Sequence, residues 1–270
     1  MSYLAIALVL IVATSAFGLE KKAYQMRDDF GTEPLYDCVL QYYYYIPCPT
    51  YSWFWAYYGW EPGDIVGVIF NVGDQGTGGY DPCDPFNCQT LETVRVLDFA
   101  GYGTVYPGLF TVEMDVWCPP CPLVNLYNSG PIETHFAWNY IDIVPPLCLT
   151  PCFDGQGLTF VVTMTHVGTN GAYPAWGFDN ISTAIATGCE LHDYGCLPVS
   201  YPRMYVHSGY FGNGDPCQYY PPLAFCDGAD TTQDCSQFGF IELAWRAYLI
   251  CSGPSGTEPS TWGNIKRIYR

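Results

Sequence analysis

Basic side chains are scarce in this 270-residue chain: nine Lys and Arg stand against 26 Asp and Glu, for a formal charge of −17. A nucleic-acid partner is thereby excluded, because phosphate binding needs a basic face. Histidine is equally sparse. The four present, His135, His166, His192 and His207, show no metal-ligand spacing and stand beside no nucleophile motif. G-x-S-x-G, H-E-x-x-H and P-loop patterns are absent, so none of the reactions those motifs support is indicated. Charged residues of both signs make up only 13% of the chain, and Glu, Lys and Ala are too few for coiled coils or helical repeats. No apolar run reaches the roughly 20 residues a transmembrane helix requires.

What the chain has instead is 49% hydrophobic and 17% aromatic residues, with 28 Gly, 22 Pro and 14 Cys. That much apolar surface offsets the entropy of ordering, which excludes disorder. Leu4 to Ala13 form an apolar run of about ten residues, followed by the small residues Ala16 and Gly18 at cleavage-site spacing. Residues 1–18 therefore read as a signal peptide. A structural strand is the competing reading, since Met1-Ser2-Tyr3 carries no Lys or Arg.

Fourteen cysteines behind an export signal read as disulfides, because only an oxidising compartment lets so many thiols pair and persist. They are Cys38, Cys48, Cys83, Cys88, Cys118, Cys121, Cys148, Cys152, Cys189, Cys196, Cys217, Cys226, Cys235 and Cys251. Short separations suggest local staples at Cys38/Cys48, Cys83/Cys88, Cys148/Cys152 and Cys189/Cys196. Cys118-Pro-Pro-Cys121 also has zinc spacing, which Cys148-x3-Cys152 could complete as a four-thiolate set. If the strands before the two pairs form a hairpin, the pairs lie at opposite ends, which favours structural disulfides.

Short runs with period-two or β-branched character follow one another at 64–70, 93–99, 109–117, 135–144, 159–167 and 175–180, separated by Gly, Pro, Asp and Asn clusters. In Leu109–Trp117, Phe110, Val112, Met114 and Val116 share one face, opposite Thr111, Glu113 and Asp115. Helix caps with 3.6-residue periodicity are missing here. The expected fold is all-β: an antiparallel, jelly-roll-like β-sandwich. Its expected parts are a flexible arm at 19–34 within an arm and aromatic-rich segment (19–60), the sandwich (61–188) and a disulfide-rich loop extension packed on it (189–252). A linker and basic tail (253–270) complete the chain. In the extension, the alternation of Ile241, Leu243, Trp245, Ala247 and Leu249 favours a strand. In the tail, Ser260 or Thr261 could cap a short terminal helix with Trp262, Ile265 and Tyr269 at helical spacing and Lys266, Arg267 and Arg270 at its carboxyl end.

Three surfaces are candidates for function. Of the 19 residues from Tyr42 to Trp60, eleven are aromatic, and Trp53, Trp55, Tyr57, Tyr58 and Trp60 could form core, a subunit interface or a sugar-stacking platform. Between residues 28 and 265 stand 25 acids and three arginines, about −22 in charge. Such a body is a solubilising surface, a body neutralised by Ca²⁺, or an acidic surface that docks the basic ends of a neighbouring subunit. Asp227, Asp230 and Asp234, between Cys226 and Cys235, and Asp74, Asp81 and Asp84 in a Gly-rich stretch, are the Ca²⁺ candidates against a reading as solvated loops. The third surface is the tail itself.

The segment Trp176-Gly-Phe-Asp-Asn-Ile-Ser182 with Cys189-x2-His192-Asp193-x2-Cys196, and the ending Thr261-Trp262-Gly263-x-Ile265-Lys266-x-x-Tyr269-Arg270, resemble a group of uncharacterised, Cys-rich, secreted bacterial proteins that share such a tail. The Asp-Asn-Ile-Ser run is also similar to the last strand of jelly-roll carbohydrate-binding and adhesin-type domains. The resemblance implies an exported bacterial sandwich with a tail used for sorting or docking, and it carries no catalytic residue. The expected function is a non-enzymatic, extracellular structural or adhesive protein that binds itself or other surface proteins through its ends, without a membrane span in the mature chain. A carbohydrate-binding module recognising glycans is the first alternative, a secreted hydrolase the second.

Overall fold

A computed structural model describes residues 20–26, 38–41, 52–58, 60–72, 83–98, 110–135, 137–169, 175–179, 208–220, 222–224 and 243–252. Apart from two short 3-10 turns, its named elements are all strands, in two antiparallel sheets. One sheet has six strands in the order β12 (Leu223–Ala224), β11 (Ser208–Asn213), β4 (Asp64–Val72), β9 (Leu158–Thr169), β6 (Phe110–Cys118) and β7 (Val124–Thr134). The seven-stranded sheet runs β1 (Glu20–Met26), β3 (Ser52–Tyr58), β10 (Ala175–Asp179), β5 (Thr90–Asp98), β13 (Trp245–Ile250) and β2 (Cys38–Gln41), with β8 (Ala137–Cys148) also paired to β5.

Alternation builds the core between them. Val112, Met114 and Val116 of β6, Val66, Val68 and Phe70 of β4, and Phe160, Val162 and Met164 of β9 point inward from the six-stranded sheet. Leu91, Val94 and Val96 of β5, Ile141 and Ile143 of β8, and Trp245, Ala247 and Leu249 of β13 meet them from the other. The β-branched content suits a pleated surface packed on one side. Phe70 and Phe160 stand opposite each other in register and stack with centroids 5.3 Å apart. The expected antiparallel sandwich is the fold observed.

The outer face of the six-stranded sheet carries a second, smaller apolar cluster of Ile65, Val161 and Phe211. It depends on Gly67, where a Cβ would lie 2.5 Å from the Val162 carbonyl oxygen and 3.0 Å from the Phe211 ring. Any larger residue would collide with the β9 backbone and crowd the Phe211 ring of β11.

Three expectations are corrected, and one strand is added. Residues 20–26 are not a flexible arm: they pair with β3 along all seven positions from Glu20↔Tyr58 to Met26↔Ser52. β7 runs through Asn125, Asn128, Ser129, Gly130 and Pro131, a composition that reads as turn. An edge strand tolerates it, because Pro131 needs no ladder donor on its free side. The stretch expected as an extension beyond residue 189 supplies β11 to one sheet and β13 to the middle of the other, so these segments are part of the sandwich. Finally, the runs at 109–117 and 135–144 do not form a hairpin, since β6 and β8 belong to different sheets. The terminal helix lies outside the described residues.

Candidate functional site

The chemistry-bearing groups gather on a sulfur framework. Cys118, at the end of β6, is bonded to Cys152, in the 3-10 turn that follows β8, so this bridge ties one sheet to the other. Cys121 reaches Cys217 in the turn after β11. Cys38 on β2 is bonded to Cys83, and Cys88 to Cys251 just beyond β13. The local staples expected at Cys38/Cys48, Cys83/Cys88 and Cys148/Cys152 are therefore not the pairing, and the opposite-ends argument against zinc fails. The end of β6 and the chain beyond β8 come together at Cys118 and Cys152. The cysteines are nonetheless disulfides there. Cys189/Cys196, Cys48, Cys226 and Cys235 lie outside the described residues.

Cys148 carries an exposed free thiol. Its Sγ lies 3.0 Å from the Thr150 hydroxyl, and hydrogen bonding to Thr150, side chain first and backbone second, holds the thiol below its ordinary range. The geometry favours thiolate at a surface position.

Three of the sulfurs, those of Cys38, Cys88 and Cys251, all lie within 4.8 Å of one another. Backbone hydrogen bonds set up this convergence. The Cys88 N–H donates to the Asp84 carbonyl at 2.8 Å, closing the turn between Cys83 and Cys88. The Asp84 carboxylate accepts from Phe86 N at 2.9 Å and from Asn87 Nδ2 at 2.5 Å, which makes it an Asx cap of that turn. Ser252 N and Oγ both donate to the Asn87 carbonyl, at 2.9 and 3.1 Å, anchoring the residue after Cys251. Cys38 is positioned by its pairing with Leu249.

Two of the body's three arginines meet on the outer face of the seven-stranded sheet. Arg95 and Arg246 are directly opposite in register and are 2% and 0% exposed. Like charges so placed repel. Aromatic faces offset this: the Arg95 guanidinium carbon lies 4.2 Å from the Trp138 ring centroid and 4.9 Å from that of Tyr140, and Arg246 lies 5.7 Å from Trp138. No sequence pattern announces this pair, because its members are 151 positions apart in the chain.

The other sequence candidates fare differently. Trp60 is buried at 3% exposure in the core cluster and packs near Tyr210, so it is not an accessible platform residue. Trp53, Trp55, Tyr57 and Tyr58 lie on β3, between β1 and β10, with side chains outside the described part. Asp74, Asp81, Asp227, Asp230 and Asp234 lie outside the described residues, as do Trp262, Ile265, Lys266, Arg267, Tyr269 and Arg270. His166 is buried, with Nε2 3.0 Å from the Gly168 carbonyl oxygen. Beside Trp60, Tyr210 donates to Asp64 at 3.1 Å, and burial, with the Asp64 charge next, pushes its hydroxyl up to about 12. Among the described residues, no helix is long and apolar enough to cross a membrane. No protein-family model matches the chain, and neither a curated protein nor a solved structure matches it.

Proposed function

We propose that the chain is a secreted, non-catalytic structural or adhesive surface protein whose stapled sandwich presents its ends for attachment or self-assembly. One observation supports this above the rest: four described disulfides, spanning separations from 34 to 163 residues, join strands and turns that the chain order keeps apart. Such bonds persist in an oxidising compartment, and they brace a scaffold against unfolding. The export signal read at residues 1–18 and the bacterial resemblance agree with that compartment.

The acidic body and the basic ends supply the attachment chemistry. Six of the nine Lys and Arg lie at the two termini, so an acidic face of one copy steers the tail of the next, with Trp262, Ile265 and Tyr269 as apolar anchors. Electron microscopy and sizing of the mature protein, with and without residues 253–270 and with and without Ca²⁺, test the reading. Ordered polymers or surface retention that vanish on deletion support it. Discrete monomers with and without the tail, together with specific glycan-array binding, replace it with the carbohydrate-binding alternative.

A further inference from the structure

We infer that Cys38, Cys83, Cys88 and Cys251 form one four-sulfur site with two chemical states: two disulfides when oxidised, and a tetrathiolate site for Zn²⁺ when reduced. The inference goes beyond the proposed function, which concerns only the oxidised protein. Its basis is the convergence already described. Three of the sulfurs are mutually within 4.8 Å, and the fourth, that of Cys83, is bonded to one of them. A tetrahedral zinc with Zn–S bonds of about 2.3 Å places its sulfurs about 3.8 Å apart, so Cys38, Cys88 and Cys251 need only small shifts, while Cys83, outside the 4.8 Å group, swings in once its bond to Cys38 is cut. Cys83 and Cys88 sit at the two ends of one tight turn, as paired ligands in structural zinc sites do. Cys38, Cys83 and Cys88 are buried, and Cys251 is partly so, which shields a bound ion from competing water.

The placement of these sulfurs does not rest on the S–S bonds. The Asp84 turn holds Cys83 and Cys88, the two Ser252 hydrogen bonds hold Cys251 beside that turn, and the β2–β13 pairing holds Cys38. Breaking both bonds therefore leaves four thiols gathered. Each disulfide takes two electrons and two protons, supplied by a phosphine and water, and gives two thiols while the phosphine leaves as its oxide. Zn²⁺ then displaces four protons and forms four Zn–S bonds. The metal holds β2, the 83–89 turn and the end of β13 together, as the two disulfides do. A reduced chain thus keeps this corner of the sandwich closed before oxidation, which matters for any chain that folds ahead of its disulfides.

The test uses the full chain reduced with a phosphine, with and without equimolar Zn²⁺, followed by brief alkylation and peptide mapping. Protection of Cys38, Cys83, Cys88 and Cys251 by zinc, at least tenfold over the zinc-free chain, is the expected result. Cobalt in place of zinc should give the visible absorption of a tetrahedral thiolate site. Those bands should disappear in Cys38→Ser/Cys251→Ser and persist in Cys118→Ser/Cys152→Ser. Equal alkylation of the four with and without zinc, or protection centred on Cys118, Cys121, Cys152 and Cys217, overturns the inference. Neither result bears on the oxidised protein's pairing or assembly, so failure here is distinguishable from failure of the proposed function.

Discussion

Removing the Cys88–Cys251 bridge is expected to destabilise the protein by about 0.7 kcal/mol less than its sequence separation suggests. The bridge spans 163 residues and the Cys118–Cys152 bridge spans 34. Treated in isolation, chain entropy gives about 5.1 and 3.8 kcal/mol for loops of those lengths, a gap of about 1.4 kcal/mol. The described bridges form a network, however. With Cys121–Cys217 in place, the path from Cys88 to Cys251 shortens to the stretches 88–121 and 217–251, about 67 residues in all. That loop corresponds to about 4.4 kcal/mol, while the 34-residue loop has no shorter route and stays at about 3.8. Cys88→Ser/Cys251→Ser and Cys118→Ser/Cys152→Ser should thus lose similar stability, about 4 kcal/mol each. Guanidinium melts under non-reducing conditions read both values, with the slope checked for a change in the unfolded state. A loss under about 1 kcal/mol for the first pair would mean that the bridge closes no loop in the unfolded chain, and the network picture would fail.

Further expectations follow from single positions. Phe160→Ala empties the stack with Phe70 at the centre of the core and should cost about 3–5 kcal/mol in the same melts. Gly67→Ala drives a Cβ into the Val162 carbonyl of β9 and toward the Phe211 ring of β11, and hydrogen exchange should show the β4–β9 and β4–β11 pairings losing protection before the rest of the sheet. Tyr210 keeps its proton up to about 12, whereas an unfolded tyrosine loses it near 10. Its contribution is then whole below pH of about 10 and is lost as pH rises toward about 12, so Tyr210→Phe should flatten the decline in stability over that window. Cys148 should be the described cysteine that alkylates first in the native, oxidised protein. Thr150→Val should slow that reaction by raising the thiol toward its ordinary range, as stopped-time labelling and mass spectrometry will show.

The legible parts of the fold are those where one face is buried and the other is polar. β6 shows this most plainly: Val112, Met114 and Val116 are fully buried, as their alternation with Thr111, Glu113 and Asp115 requires. β13 was readable from the alternation of Trp245, Ala247 and Leu249 with Arg246 and Tyr248, although both of its faces are buried. β1 and β7 were not, because edge strands are held by backbone pairing and carry charges, Gly or Pro without penalty. Disulfide pairing was illegible on different grounds. Spacing ranks neighbours such as Cys83 and Cys88 first, but the bond goes to whichever sulfur the tertiary fold delivers, and Cys251 arrives through strand pairing from the far end of the chain. The Arg95–Arg246 pair was hidden likewise, since register between β5 and β13 alone brings the two together.

The sandwich is covalently braced between and within its sheets. Peptide mapping of the native protein, digested without reduction, tests this most directly. Linked peptides joining Cys38 to Cys83, Cys88 to Cys251, Cys118 to Cys152 and Cys121 to Cys217 are the expected result. Those eight residues recovered as free thiols, or as the neighbour pairs Cys83–Cys88 and Cys118–Cys121, would contradict it.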